Sequence, residues 1–160
     1  MQSPQIIIVG PAYPYRGGQA LVEAYLYKTL TELGYNCHTV SFTLLYPSVF
    51  FPGTTQFEES GFVAFPHAGK ITRIINSVNP FTWIKAARYI LKQKPAAVVF
   101  VWWMPFFGPA YWTISNILKW FGKTRIVFLM ENFVSHEKRF FDRLSAKLTL
   151  KNAQYFICQS

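Results

Sequence analysis

From Pro95 to Leu118 the chain runs for 24 residues without a charged side chain, PAAVVFVWWMPFFGPAYWTISNIL. A bilayer-spanning helix needs about 20 apolar residues, so the stretch is long enough to cross a membrane. Its interior argues otherwise. Pro105, Gly108 and Pro109 interrupt the middle, and a proline inside a helix removes a backbone hydrogen bond and clashes with the turn before it. Ahead of them, Ala97 to Trp102 is β-branched and aromatic without alternation, the pattern of a strand buried on both faces. The segment is therefore expected to form a buried strand, a short loop and a helix. A strand of that kind needs a layer on either side, which sets the fold class.

The rest of the chain repeats the theme. Gln5 to Val9 reads as an apolar strand. Gly18 to Leu33 reads as a helix, with Val22, Leu26, Leu30 and Leu33 on its buried stripe and Gly34 as its stop. Asn36 to Phe42 is a strand, and the aromatic loop LLYPSVFFPGTTQFEES after it is long enough to be functional or mobile. Phe62 to Phe65 is expected to be a short strand. Asn79-Pro80 opens a helix that ends near Gln93, because proline is tolerated at the first helical position. Pro109 to Phe121 follows as a helix, Arg125 to Met130 as a strand, Glu137 to Asn152 as a helix and Tyr155 to Cys158 as a last strand.

Buried strands alternating with helices predict an α/β domain: a Rossmann-like, doubly wound, mostly parallel sheet with helices on both faces. The 160 residues suffice for one such domain. Ligands in this class bind at the carboxyl ends of the strands, here the loops after Val9, Phe42, Trp102 and Met130.

The charge balance, 16 Lys+Arg against 7 Asp+Glu for a net +9, favours an anionic partner. The aromatic residues lie mostly in apolar runs rather than interleaved with the basic ones, so a nucleic-acid stacking platform is not expected. Cys37 and Cys158 both fall in strands expected to be buried and read as reduced thiols of a cytosolic protein. Met1 to Gln5 is polar, and the apolar run after it is too short for a signal peptide.

The first strand leads into GPAYPYRGGQA and a helix. A dinucleotide fingerprint starting at Gly10 fails, because Ala12 and Tyr15 stand where glycines belong. Gly122-Lys123-Thr124 resembles the end of a P-loop, but Ile117 occupies the first glycine's place and the order of elements is wrong. What remains is Arg16-Gly17-Gly18. It is either a phosphate-binding turn, where a helix N-terminus offers backbone N–H groups to an oxyanion, or a tight connection and nothing more.

No metal constellation is visible, since His38, His67 and His136 are scattered. His38 is expected to point outward from its strand and His67 to lie on a loop surface. The segment MENFVSHE ends a strand at the ligand edge. Glu131 there is a candidate catalytic or acceptor-binding carboxylate, beside Asn132 and His136. Ser135 and Glu137 equally suit the cap and first turn of the next helix.

Arg139, Arg143, Lys147 and Lys151 recur every four residues, with Phe140, Leu144 and Leu148 on the opposite side; Lys85, Arg88 and Lys92 form a similar stripe. Such stripes are either solvated faces or contacts to an anionic membrane surface.

Four blocks together resemble a known family. They are VGPAYPYRGGQA, LLYPSVFFPGTTQFEES, WWMPFFGPA and MENFVSHEKRFFDRLSAKLTLKNAQYFICQS. They resemble the N-terminal, acceptor-side domain of GT-B glycosyltransferases of the family-4-like group, over nearly the whole chain. The resemblance implies transfer of a sugar from a nucleotide-sugar donor to a glycan or lipid-linked acceptor with retention of configuration, and no metal or other cofactor. Apart from the resemblance, the two thiols point to a cytoplasmic protein, and the basic stripes, unless they are solvated faces, to peripheral attachment on the inner face of the membrane. The resemblance places Gly17, Gly18 and Arg16 against the donor phosphates, and Tyr46, Phe51, Trp103, Phe106, Asn132 and His136 near the acceptor. Glu131 stands where the family commonly has histidine. The C-terminal, donor-binding domain of such enzymes has no counterpart in these residues, so the isolated chain is expected to be inactive. The alternative expectation is a stand-alone module that binds a nucleotide or a membrane surface without chemistry.

Overall fold

The computed structural model describes residues 3–47, 55–58, 70–131 and 140–158. Its elements are β1 (Gln5–Val9), α1 (Gly18–Glu32), β2 (Asn36–Leu44), β3 (Ile71–Asn76), α2 (Pro80–Gln93), β4 (Ala97–Trp102), a 3₁₀ turn (Pro105–Phe107), α3 (Gly108–Phe121), β5 (Arg125–Met130), α4 (Phe140–Leu150) and β6 (Tyr155–Cys158). The six strands form one sheet in the order β3-β2-β1-β4-β5-β6, every pair parallel. This is a Rossmann-like α/β fold. The charge-free stretch is β4, the 3₁₀ turn and α3, and no helix among the described residues is long and apolar enough to cross a membrane.

Side-chain alternation sorts the central strands into two faces. Ile7, Val9, Val98, Phe100, Ile126 and Phe128 pack under α2 and α3, with Ala146 and Leu150 of α4 against the same cluster. Ile8, Val99, Val101 and Leu129 face the other way, toward Tyr27, Leu26 and Leu30 of α1. Among the described residues, one helix therefore covers one face and three cover the other. Asn79 caps α2 by accepting a hydrogen bond from the Phe81 N–H at 3.1 Å, ahead of Pro80 in the first turn.

Several expectations are corrected. The strand Ile71–Asn76 is not evident in the sequence, because Thr72, Arg73 and Asn76 dilute its apolar pattern; it is an edge strand with Arg73 exposed. Val22, Leu26 and Leu30 pack partly buried against the sheet as expected, but the fully buried side of α1 is Ala20, Glu23, Ala24 and Tyr27, and Leu33 is exposed. The helix is apolar around much of its circumference, so periodicity alone does not select the face. What selects it is the sheet: the Thr39 hydroxyl on β2 donates to the fully buried Glu23 carboxylate at 2.5 Å. Thr39→Val keeps the shape and removes that donor, and it is expected to cost about 1 kcal/mol in urea or thermal unfolding.

His38 does not point into open solvent. Its ring is half-buried, with Nε2 2.8 Å from the Thr72 hydroxyl and 3.1 Å from the Tyr89 hydroxyl. Burial, then the charge of Lys70, hold its pKa below the usual histidine value. Cys37 is buried as expected, but Cys158 is exposed, because β6 is an edge strand paired with β5 on one side. Leu144 and Leu148 of α4 are exposed too; that helix buries Thr149 instead. The expected strand Phe62 to Phe65 and His67 lie outside the described residues.

Candidate functional site

The sheet order reverses between β1 and β4, whose carboxyl ends open a crevice between loops that depart in opposite directions. The two strands meet closely there. A Cβ placed on Gly10 would lie 3.0 Å from Cβ of Val101, so the end of β1 tolerates only glycine without displacing β4.

The loop after β1 is braced from several sides. The Ala12 N–H donates to the Ser41 hydroxyl at 3.0 Å, and the Arg73 guanidinium donates to the Tyr13 carbonyl. Residues 55–58 run antiparallel beside it. The Arg16 N–H reaches the Gln56 carbonyl at 3.0 Å, the Glu58 N–H reaches the Pro14 carbonyl at 2.8 Å, and the Tyr15 and Phe57 rings stack at 5.2 Å. This bracing delivers Arg16, Gly17 and Gly18 to the start of α1, all exposed. Gly17 has φ +120° and ψ 169°, a backbone state open essentially to glycine alone. A Cβ on Gly18 would meet nothing within 4 Å. Among the described residues no side chain caps α1, and no acidic residue occupies its first turn. Its first N–H groups and the dipole therefore face an open, electropositive approach.

At the same edge of the sheet, Glu131 is held at the end of β5, beside β4, by its N–H, which donates to the Trp102 carbonyl at 3.0 Å. Its Oε1 is buried and has no hydrogen-bond partner among the described residues. Burial raises its pKa to about 7. The same holds for the phenol of Tyr111 in α3: its hydroxyl is fully buried and unpartnered among the described residues. Burial pushes that hydroxyl well above the usual tyrosine range, and neighbouring Tyr46 and Glu131 add to the effect. Tyr111 gave no sign in the sequence, where it is one aromatic residue in an apolar helix.

The aromatic wall is built on Tyr46. Its hydroxyl accepts from the Trp103 indole N–H at 3.1 Å and donates to the Met104 sulfur at 3.2 Å. Its ring lies 6.0 Å from Phe106 and 5.4 Å from Phe107. The Gln56 side-chain amide clamps the Tyr46 backbone from both sides, accepting from its N–H at 3.0 Å and donating to its carbonyl at 2.7 Å. Tyr46 and Phe106 are half-buried, whereas Trp103 is buried against Phe107 at 4.2 Å and forms wall rather than surface. Of the residues expected at the site, Phe51, Asn132 and His136 lie outside the described residues, as does Arg139. Arg143 and Lys147 on α4 and Lys151 in the turn after it are exposed, in the helix layer beyond α3 rather than at the strand ends. No three His, Cys, Asp or Glu side chains gather as a metal set among the described residues.

No protein-family model matches the chain, and no curated protein matches it. Among solved structures it is similar to an α-glucosyltransferase, determined in complex with UDP and a 13-mer DNA containing a central A:G mismatch. The TM-score is 0.58 at 13% identity, covering 98% of this chain and 37% of the glucosyltransferase. A protein of unknown function from Vibrio parahaemolyticus aligns over 99% of this chain and 94% of its own length, at 10% identity and a TM-score of 0.42. The first similarity shows a shared domain fold of GT-B-like type, and the chain spans just over a third of that enzyme's length.

Proposed function

We propose that this domain is the acceptor-side half of a retaining glycosyltransferase that uses a nucleotide-sugar donor. The observation that carries the reading is the Glu131 carboxyl, half-buried at the carboxyl end of β5 in a domain whose fold is like that of a glucosyltransferase, with an unpartnered oxygen among the described residues. A buried polar atom of that kind calls for a ligand hydroxyl. In this reading the bond from the sugar's anomeric carbon to the nucleoside diphosphate breaks, and a bond to the acceptor oxygen forms on the same face. Glu131 accepts a hydrogen bond from the acceptor hydroxyl and orients it. A group with a pKa of about 7 can also take its proton near neutral pH. The N–H groups after Gly17 favour the negative charge that develops on the leaving diphosphate. Arg16 adds a positive charge at the same turn, and the Tyr46–Phe106 edge offers an apolar face to the acceptor. A second, donor-binding domain supplies most contacts to the nucleotide, and no metal takes part.

The amide resonances of the 160-residue chain, followed while UDP is added, test the phosphate half of this reading. Shifts centred on Gly18 and Gln19, saturating only at millimolar UDP, are expected, since one turn supplies a small part of the binding energy. Saturating shifts confined to another part of the fold would refute it.

A further inference from the structure

The outer surface of the α2–α3–α4 layer combines two features that seldom share a protein surface. The first is exposed apolar bulk. Phe81 on α2 is 82% exposed, and Trp120 and Phe121 at the end of α3 are 73% and 75% exposed. Trp112 on α3 and Leu144 and Leu148 on α4 join them. α4 is turned this way because its small polar side packs inward. Ser145 donates to the Pro105 carbonyl at 2.9 Å and Thr149 to the Gly108 carbonyl at 3.0 Å. Gly108 makes the approach possible, since a Cβ there would fall 2.0 Å from the Ser145 hydroxyl.

The second feature is one-sided charge. No acidic residue occurs between Glu59 and Glu131, and α4 has Asp142 alone. Lys85, Arg88 and Lys92 line the outside of α2, next to Phe81. Lys119 and Lys123 flank Trp120 and Phe121, and this end of α3 lies against α2, where a Cβ on Gly122 would sit 3.0 Å from Leu91. Arg143, Lys147 and Lys151 run beside Leu144 and Leu148.

We infer that this layer docks the protein on an anionic lipid membrane, with the aromatic and leucine side chains entering the headgroup region and the cations meeting lipid phosphates. Cations alone would suit a nucleic acid equally. The tryptophan, phenylalanine and leucine side chains between them select a bilayer surface, where an apolar body and a charged neighbour are both satisfied. The inference does not depend on sugar transfer, since it uses no residue of the crevice.

The test is co-sedimentation of the chain with vesicles of phosphatidylcholine alone, and of phosphatidylcholine carrying about one-third phosphatidylglycerol. Binding is expected to the anionic vesicles only and to fall as salt rises. Lys147→Gln with Lys151→Gln is expected to weaken binding about twenty-fivefold, at about fivefold per cation. Brominated acyl chains are expected to quench tryptophan fluorescence, and Trp112→Phe with Trp120→Phe to remove most of that quenching at an unchanged melting temperature. Three results would overturn the inference: no binding at low salt, binding without quenching, or tighter binding to a DNA or RNA oligomer that the aromatic substitutions leave unchanged.

Discussion

Glu131→Gln is expected to stabilise the domain at pH 8 by about 2 kcal/mol, after discounting for partial exposure, while sharply reducing sugar transfer. The sign follows from its environment. Folding raises this carboxyl from the usual 4.5 to about 7 by removing it from water. Between those values the native state holds a proton that the unfolded chain has released, so stability falls as pH rises from about 4.5 to about 7 and is level above. Glutamine has no charge to bury, so the variant should lack the fall that Glu131 contributes over that window. Urea unfolding at a series of pH values measures both curves. Identical pH profiles for the two proteins would show that Glu131 is solvated or paired after all. A carboxyl kept at a cost to stability is what a binding or catalytic role predicts.

The second large effect is a contrast between neighbours. Gly17→Ala is expected to cost about 1–3 kcal/mol, because φ +120° with ψ 169° excludes a Cβ on steric grounds. Gly18→Ala should leave stability unchanged or slightly raised, since its Cβ meets nothing and alanine is the better helix residue. The same methyl projects into the space where the diphosphate is proposed to lie, and is expected to weaken UDP binding about tenfold, roughly 1.4 kcal/mol. Thermal melts and UDP titrations of the two variants separate a structural glycine from one kept clear for a ligand. A Gly18→Ala chain that binds UDP as the parent does would remove the phosphate role from this turn.

The parts of the fold legible in the sequence were those where a single interaction dominates. Gln5–Val9, Ala97–Trp102 and Arg125–Met130 lie centrally in a parallel sheet, and their uninterrupted apolar runs say so. Asn79-Pro80 announced α2 because a cap and a first-turn proline are local chemistry. Elements decided by tertiary partners were harder to read. Ile71–Asn76 is an edge strand with polar positions, and α1 turns to bury Glu23 because Thr39 waits opposite it. α4 exposes two leucines because Ser145 and Thr149 fit closely against Gly108 and the 3₁₀ turn, a match of small surfaces that hydrophobicity does not record.

The crevice divides in the same way. Glu131 and the Gly17–Gly18 turn could be picked out by their place at strand ends. The buried hydroxyl of Tyr111, the Gln56 clamp on Tyr46 and the Arg73 brace on Tyr13 depend on contacts between distant segments, and no local pattern announces them.

The most direct measurement is transfer of labelled sugar from a panel of nucleotide-sugars, made with the gene product that contains this domain and with the 160-residue chain alone. Transfer with retained anomeric configuration is expected from the former and lost in Glu131→Gln, and none is expected from the chain alone. Robust transfer by the isolated chain would contradict the need for a second domain. Failure of both to transfer or hydrolyse any donor would contradict the assignment to glycosyl transfer itself.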